Sequence, residues 1–230
     1  MTSRTAILAH VRASLGISPR TDPRGATVAA RLADRPRHLI PERAAKPRTA
    51  LLAQFRDFLR AQPADVIEAA SNEAVPEAIA EALRAADLPP RVRMGRDPVL
   101  AAMPWERAAS LERRFGPAEP ADEVGLSRAL AGVSETGTLV LASGADNPVT
   151  LAFLPPVHVV VVAEADIVGC YEDAFAIVRK SFGARQMPRT LNLVSGPSRT
   201  ADIGGRIVIG AHGPRRLVVV IVGEPAPPGA

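Results

Sequence analysis

Residues 157–162 read VHVVVV, and apart from His158 every side chain in the run is apolar and β-branched. A strand with one solvated face alternates apolar and polar residues, whereas a nearly continuous apolar run suits a strand covered on both faces. That requirement points to a sheet packed between layers, as in α/β folds. Further apolar runs at 191–194, 207–209 and 217–222 give the sheet its remaining length. With 230 residues, the chain can build one substantial core, or one domain with an appended arm.

Helices are read from apolar spacing. Ile7, Leu8, Val11 and Leu15 lay one stripe on a first helix, which Ser3 or Thr5 can cap and which Gly16 and Pro19 end. A helix this short needs tertiary packing, so it must dock on its own domain or on another subunit. Residues 20–47 are rich in Pro and Arg without a sustained period and read as a linker or irregular wrap. Leu51, Leu52, Phe55, Phe58 and Leu59 mark a helix from Thr49 whose apolar face is wide enough to pack on a sheet. A strand at 65–70, a helix carrying Val75, Ile79 and Leu83, and a strand at 91–94 follow. Their spacing predicts a βαβ unit with a right-handed crossover. Residues 95–124 have no clear period, and Trp105 within them is expected in packing rather than lining a pocket. Residues 123–133 fit either a helix or a strand. Beyond them the chain turns β-rich, interrupted by a helix within 166–182 that places Tyr171, Phe175, Val178 and Phe182 on one side. The expected organisation is therefore an arm and linker at 1–47, a domain at 48–224 and a frayed Pro-rich tail at 225–230.

Composition removes several function classes. No apolar run approaches the roughly 18 residues a membrane helix needs. The opening residues lack an export signal's apolar core and cleavage site, so a cytoplasmic protein without a membrane span is expected. Cys170 is the sole cysteine, which excludes an internal disulfide, a four-cysteine iron–sulfur cluster and a cysteine-rich zinc site. Any redox metal must belong to a partner. No pair among His10, His38, His158 and His212 has metal-ligand spacing, so no metal site is expected. A pI near 10.1 raises nucleic acid as a partner. However, the arginines are interleaved with Asp and Glu, and an aromatic content of 3% leaves little surface for base stacking. No nucleic-acid partner is expected.

Two polar, turn-forming clusters abut the closing strands: SGPSRTAD at 195–202 and GAHGPR at 210–215. Small hydroxyls, glycines, a carboxylate, an imidazole and guanidiniums thus fall at strand ends, where open α/β sheets bind ligands. Standard signatures are absent. No G-x-G-x-x-G follows a strand, and Lys180-Ser181 lacks the glycines of a phosphate loop. Thr200 stands where a hydrolase nucleophile elbow around Ser198 would need its second glycine, which argues against a serine hydrolase. Taken together, ETGTLVL at 135–141, LPPVH at 154–158, SGPSRTADI at 195–203 and GAHGPR at 210–215 closely resemble the lactate utilization protein C family, the LUD-domain proteins. The opening ILAHVRASLG at 7–16 is similar to that family's first helix. The resemblance implies a three-layer α/β fold of the NagB/RpiA/CoA-transferase type, with helices on both faces of the sheet. It also implies an accessory role in oxidising L-lactate to pyruvate beside iron–sulfur partner proteins, with no cofactor in this chain. A homo-oligomer stays open.

Each candidate site residue has a functional and a structural reading. Glu135, in Ser134-Glu-Thr-Gly137, looks locally like the Ser-Glu-Asn-Gly turn whose glutamate is the nucleophile of CoA transferases. Here Thr136 replaces the Asn. Glu135 is thus a nucleophile, a ligand-binding carboxylate or a hydrogen-bond acceptor closing its loop beside Thr136, Gly137 and Thr138. Ser195, Ser198, Thr200 and Asp202 supply side-chain oxygens, and Gly196 lets backbone N–H groups approach an anion. The alternative is a turn network that satisfies itself. Arg199 adds positive charge; His212, Gly213 and Arg215 offer an ionisable group on a fixed turn and a bidentate anion clamp, or simply a hairpin turn with an exposed imidazole. His158, inside its β-branched run, is expected to be a hydrogen-bonded core histidine. Three functions follow: an accessory subunit binding a small anion, an acyl-CoA-dependent transferase or hydrolase using Glu135, or a scaffold for iron–sulfur partners.

Overall fold

The computed structural model describes residues 3–16, 24–35, 37, 39–183, 186–203 and 206–223, with the backbone alone at 201–203 and 206. The calls at Pro19, His38, the tail 225–230 and the Asp202 side chain therefore lie outside the described residues. The chain divides into two compact units, Met1–Leu39 and Ile40–Ala230.

The first unit holds helices α1 (Ser3–Ser14) and α2 (Arg24–Asp34). Gly16 ends the first helical segment with φ 62°, a left-handed stop that glycine takes without a Cβ penalty. Helix α2 corrects the expectation of an irregular linker at 20–47. Its Ala26, Ala29, Ala30, Leu32 and Ala33 are strong helix formers, and Val28 and Leu32, four residues apart, fall on one helical face.

In the second unit, α3 (Arg48–Ala61), β1 (Asp65–Ala69), α4 (Val75–Ala85) and β2 (Arg91–Met94) arise where the spacing places them. The poorly periodic stretch after β2 contains a short helix, α5 (Pro98–Ala101), a helical turn Trp105–Ala108 and β3 (Glu112–Phe115). Asp97 caps α5 by accepting hydrogen bonds from the Val99 and Leu100 N–H groups. Trp105 is buried and donates its indole N–H to the Leu100 carbonyl at 2.7 Å, which makes it a packing residue. The ambiguous 123–133 stretch is two strands, β4 (Val124–Arg128) and β5 (Ala131–Val133). The rest of the chain gives β6 (Thr138–Ala142), β7 (Val157–Ala163), β8 (Ile167–Val168), α6 (Tyr171–Phe182), β9 (Leu191–Val194), β10 (Arg199–Ile203), β11 (Arg206–Ile209) and β12 (Arg216–Val222).

Six strands form a parallel sheet in the order β1-β12-β7-β4-β2-β3. A mixed sheet runs β8-β5-β6-β9, and β10 pairs with β11 as a separate antiparallel hairpin. Strands β7 and β12 occupy the centre, paired from Arg216 opposite Val157 to Val222 opposite Ala163. Val159, Val161, Val218, Val220 and Val222 point to one face and pack with Ile79 and Leu83 of α4 and with Trp105. Val160, Val162, Leu217, Val219 and Ile221 point to the other, against Phe55 and Leu59 of α3 and Leu139 and Leu141 of β6. Helices thus lie on both faces, and the second sheet forms part of the α3-side layer. Helix α6 covers the far side of that sheet through Ala174 and Val178.

The expected βαβ unit, β1–α4–β2, has a wide crossover. Strands β1 and β2 are parallel members of one sheet, but β12, β7 and β4 stand between them. The most apolar strands, β7 and β12, take the centre, while β1 with Asp65 and Glu68 and β3 with Glu112, Arg113 and Arg114 take the edges. Charged edges also discourage pairing with other chains. Inside the fold, the Arg93 Nε–H donates to Asp122 at 2.7 Å, with both residues buried. Burial alone would raise the Asp122 pKa, but hydrogen bonds from Arg93 and the Glu119 N–H, together with the Arg93 charge, hold it below the usual carboxylate range.

His158 sits on β7, fully buried, with Nε2 3.0 Å from Ser127 Oγ, as a hydrogen-bonded core residue. Burial pushes its pKa from 6.5 down to about 3. Because the folded value is depressed, the stabilisation is complete above the unfolded value of 6.5 and is lost as pH falls toward 3. His158→Asn is therefore expected to flatten the stability profile between these values by up to about 1.4 kcal/mol per pH unit, read by urea unfolding at a series of pH values.

Candidate functional site

The two polar clusters at 195–202 and 210–215 meet at Ser198. Its N–H donates to the Pro214 carbonyl and its carbonyl accepts from the Gly210 N–H, each at 2.8 Å. A Cβ added to Gly213 would come within 3.3 Å of Ser198 Cβ, so the turn lies directly against the serine. The Arg215 and Arg216 N–H groups both donate to the Pro156 carbonyl, tying this turn to the segment before β7. Gly210 reverses the chain with φ 83°, and a Cβ there would stand 2.8 Å from Arg215 Cβ. The glycine is thus required twice, for its backbone angle and for the space beside Arg215.

These connections frame a crevice of about 650 Å³. It is lined by Phe153, Leu154 and Pro156 from the segment before β7 and by residues 209–213 with Arg215 from the turn before β12. His212 and Arg215 are both exposed at its surface. Backbone N–H groups at Ser198, Gly210 and Arg215 are already used within the fold. Those of Ala211, His212 and Gly213 have no acceptor among the described residues. Backbone N–H groups without acceptors and an exposed guanidinium lining one crevice are donors that an anion can accept from. Pro156 immediately precedes β7 and Arg215 immediately precedes β12, so the crevice opens at the amino ends of the parallel strands. The usual ligand crevice of open α/β sheets is at the carboxyl ends.

The remaining candidates gather elsewhere. Thr138 Oγ1 lies 2.6 Å from Ser195 Oγ and 2.7 Å from Thr136 Oγ1, while the Tyr171 hydroxyl is 2.9 Å from both threonine oxygens. The result is a cluster of four hydroxyls that satisfy one another. Glu135 is buried, its N–H donates to the Gly169 carbonyl, and its carboxylate stands 3.9 Å from Arg43. Gly137 and Gly196 make close packing contacts: added Cβ atoms would fall 2.6 Å from Phe58 Cβ and 2.9 Å from Gln62 Cβ. None of residues 135–138, Ser195 or Gly196 lines the crevice. Residues 199–203, expected in a turn, form β10, with Arg199 opposite Ile209 and Thr200 opposite Val208. Among the described residues, no group of three or more His, Cys, Asp or Glu side chains is placed to hold a metal ion, and no helix is long and apolar enough to cross a membrane.

Sequence reasoning missed Tyr171 as a hydroxyl partner, because its place on the apolar side of α6 suggested packing alone. It also missed Phe153 and Pro156 as crevice walls and the free N–H groups of residues 211–213. The available signal for the latter was a glycine on either side of Ala211-His212, followed by a proline.

Residues 52–222 match the LUD domain family. The chain is similar to an uncharacterized protein of Neisseria meningitidis serogroup B, with 37% identity over 100 residues, 44% of this chain and 42% of that protein. It is 31% identical to lactate utilization protein C of Geobacillus sp. over 119 residues, 51% of this chain and 48% of the relative. The Bacillus subtilis protein of the same description is 31% identical over 122 residues, 52% of this chain and 50% of the relative. The chain therefore spans about half the length of the curated relatives it matches. A crystal structure of a DUF162 family protein from Deinococcus radiodurans superposes with a TM-score of 0.59 at 28% identity, covering 77% of this chain and 99% of that one.

Gly210→Ala should destabilise the second unit by about 1–3 kcal/mol, since a side chain there is strained by φ and collides with Arg215. Chemical denaturation measures the change. Tyr171→Phe should cost about 0.5–1.5 kcal/mol through its lost hydroxyl contacts.

Proposed function

Because the chain belongs to the LUD domain family, we propose that it serves as an accessory component of a lactate-utilization system and binds a small anion in the crevice at the amino ends of β7 and β12. One observation carries the binding reading: the free N–H groups of residues 211–213 stand in the same crevice as His212 and Arg215. Arg215 supplies a permanent charge and a planar fork that can meet two oxygens of an anion. The backbone donors stay fixed because Gly210, Ser198 and Pro156 hold the turn from three directions. The lactate reading comes from the relatives named lactate utilization protein C. With that reading go a cytoplasmic location and iron–sulfur proteins as partners, and a single cysteine in the sequence is consistent with clusters held elsewhere.

Glu135 supports a second reading. Its carboxylate is nearly buried, with 7% of the side chain exposed, and its ion-pair partner among the described residues, Arg43, is 3.9 Å away. Such a group could attack an acyl-CoA thioester, forming a C–O bond as the C–S bond breaks and CoA leaves as its thiolate. The site would then be distinct from the crevice.

Calorimetry with L-lactate, pyruvate and inorganic phosphate tests the first reading. At least one of these anions should bind, and Arg215→Gln with His212→Asn should weaken it about tenfold or more, the scale of lost charge-assisted hydrogen bonds. Unchanged affinity in that variant would remove the crevice from consideration. Mass spectrometry after incubation with acyl-CoA tests the second reading, which requires an adduct on Glu135 that Glu135→Gln abolishes.

A further inference from the structure

The same crevice also has an apolar lining. Phe153 is 47% exposed, Leu154 46% and Ile209 54%, so three large apolar side chains face water around one crevice. Singly exposed apolar residues are ordinary, whereas a contiguous group rimmed by polar donors marks a binding surface. The volume points the same way. At about 650 Å³ the crevice falls within the roughly 300–1,000 Å³ typical of sites for larger small molecules, and a three-carbon acid would leave the apolar wall wet.

The hairpin gives a third, independent indication. Strands β10 and β11 join neither sheet, and a two-stranded hairpin alone is marginal in water. Ile207 and Ile209, two residues apart on β11, lie on one face and are both exposed. Nothing among the described residues covers that face, although one end of it forms the crevice wall.

We infer that the crevice takes an amphipathic anion: a carboxylate or phosphate head on the 211–215 turn, joined to an alkyl or aryl body that lies against Phe153, Leu154 and Ile209. This rests on the anion reading above and adds the chemical class of the ligand. The body covers the apolar wall, and the head supplies what the N–H groups and Arg215 lack. A ligand touching Ile209 together with Phe153 and Leu154 also ties the β10–β11 hairpin to the segment before β7.

Calorimetry on the full chain with L-lactate, hexanoate, hexyl phosphate and 1-hexanol separates the possibilities. One or both of the six-carbon anions should bind at least about tenfold more tightly than L-lactate, and 1-hexanol should not bind measurably. The preferred anion identifies the head group. Phe153→Ser with Leu154→Ser should narrow the ratio between that anion and lactate, while Arg215→Gln should weaken every anion. Both changes are at exposed positions, and circular dichroism checks that the variants fold. Hydrogen exchange supplies a second readout: the tighter-binding anion should slow exchange at 207–209 more than lactate does. If lactate and both six-carbon anions bind alike, the amphipathic class is overturned while the anion site stands. If no anion binds, both readings fall. If 1-hexanol binds as well as hexanoate and Arg215→Gln changes nothing, the crevice is merely an apolar patch and the inference is overturned.

Discussion

The pairing of β7 with β12 is the constraint on which the rest of the structure depends. Side chains on each strand alternate between two faces, and on these two strands nearly all of them are apolar, so neither face tolerates water. Two covering layers are then obligatory. Helix α4 and the Trp105 segment form one, while α3 and the small mixed sheet form the other. Each central strand also has a neighbour on its other side, β1 beside β12 and β4 beside β7, which completes their backbone hydrogen bonding.

Close approach between these layers depends on missing side chains. A Cβ at Gly132 would meet the Phe55 ring at 2.8 Å, one at Gly125 would meet the Leu151 carbonyl at 2.3 Å, and one at Gly95 would overlap the Asp146 carbonyl. These glycines let α3, the segment after β6 and the loop over β2 sit on the sheet without a gap. The same economy of space shapes the candidate site, where Gly210 and Gly213 bring the 210–215 turn against Arg215 and Ser198. Packing density, together with the hydrogen bonds at Ser198 and Pro156, holds the turn that presents the free N–H groups.

Polar chemistry in the second unit is divided by environment. The four hydroxyls of Thr136, Thr138, Tyr171 and Ser195 bond to one another, and Arg93 and Asp122 neutralise each other inside the fold. In both places the partners are protein groups, and little capacity is left for a ligand. At the amino ends of β7 and β12 the balance differs, because an exposed guanidinium, an exposed imidazole and three backbone donors share one crevice with apolar side chains. A ligand's acceptors meet donors in excess at the crevice, whereas elsewhere the donors are already matched.

The sequence by itself determined the layered α/β class, since an apolar run such as 157–162 can be satisfied only by cover on both faces. It also placed α3, α4 and most strands, because period 3.6 and period 2 are local properties of the chain. The quadruplet of motifs pointed to the family, and the isolation of His158 among valines pointed to a buried, hydrogen-bonded ring. Only the tertiary structure decided that β1 and β2 are three strands apart, because strand order follows competition for the sheet's centre and no single βα unit records it. It alone decided that Tyr171 closes a hydroxyl cluster and that 195–202 contributes to two places. Ser195 turns toward Thr138 while Ser198 joins the 210–215 turn, a division set by long-range contacts to β6 and β12 that no local pattern encodes.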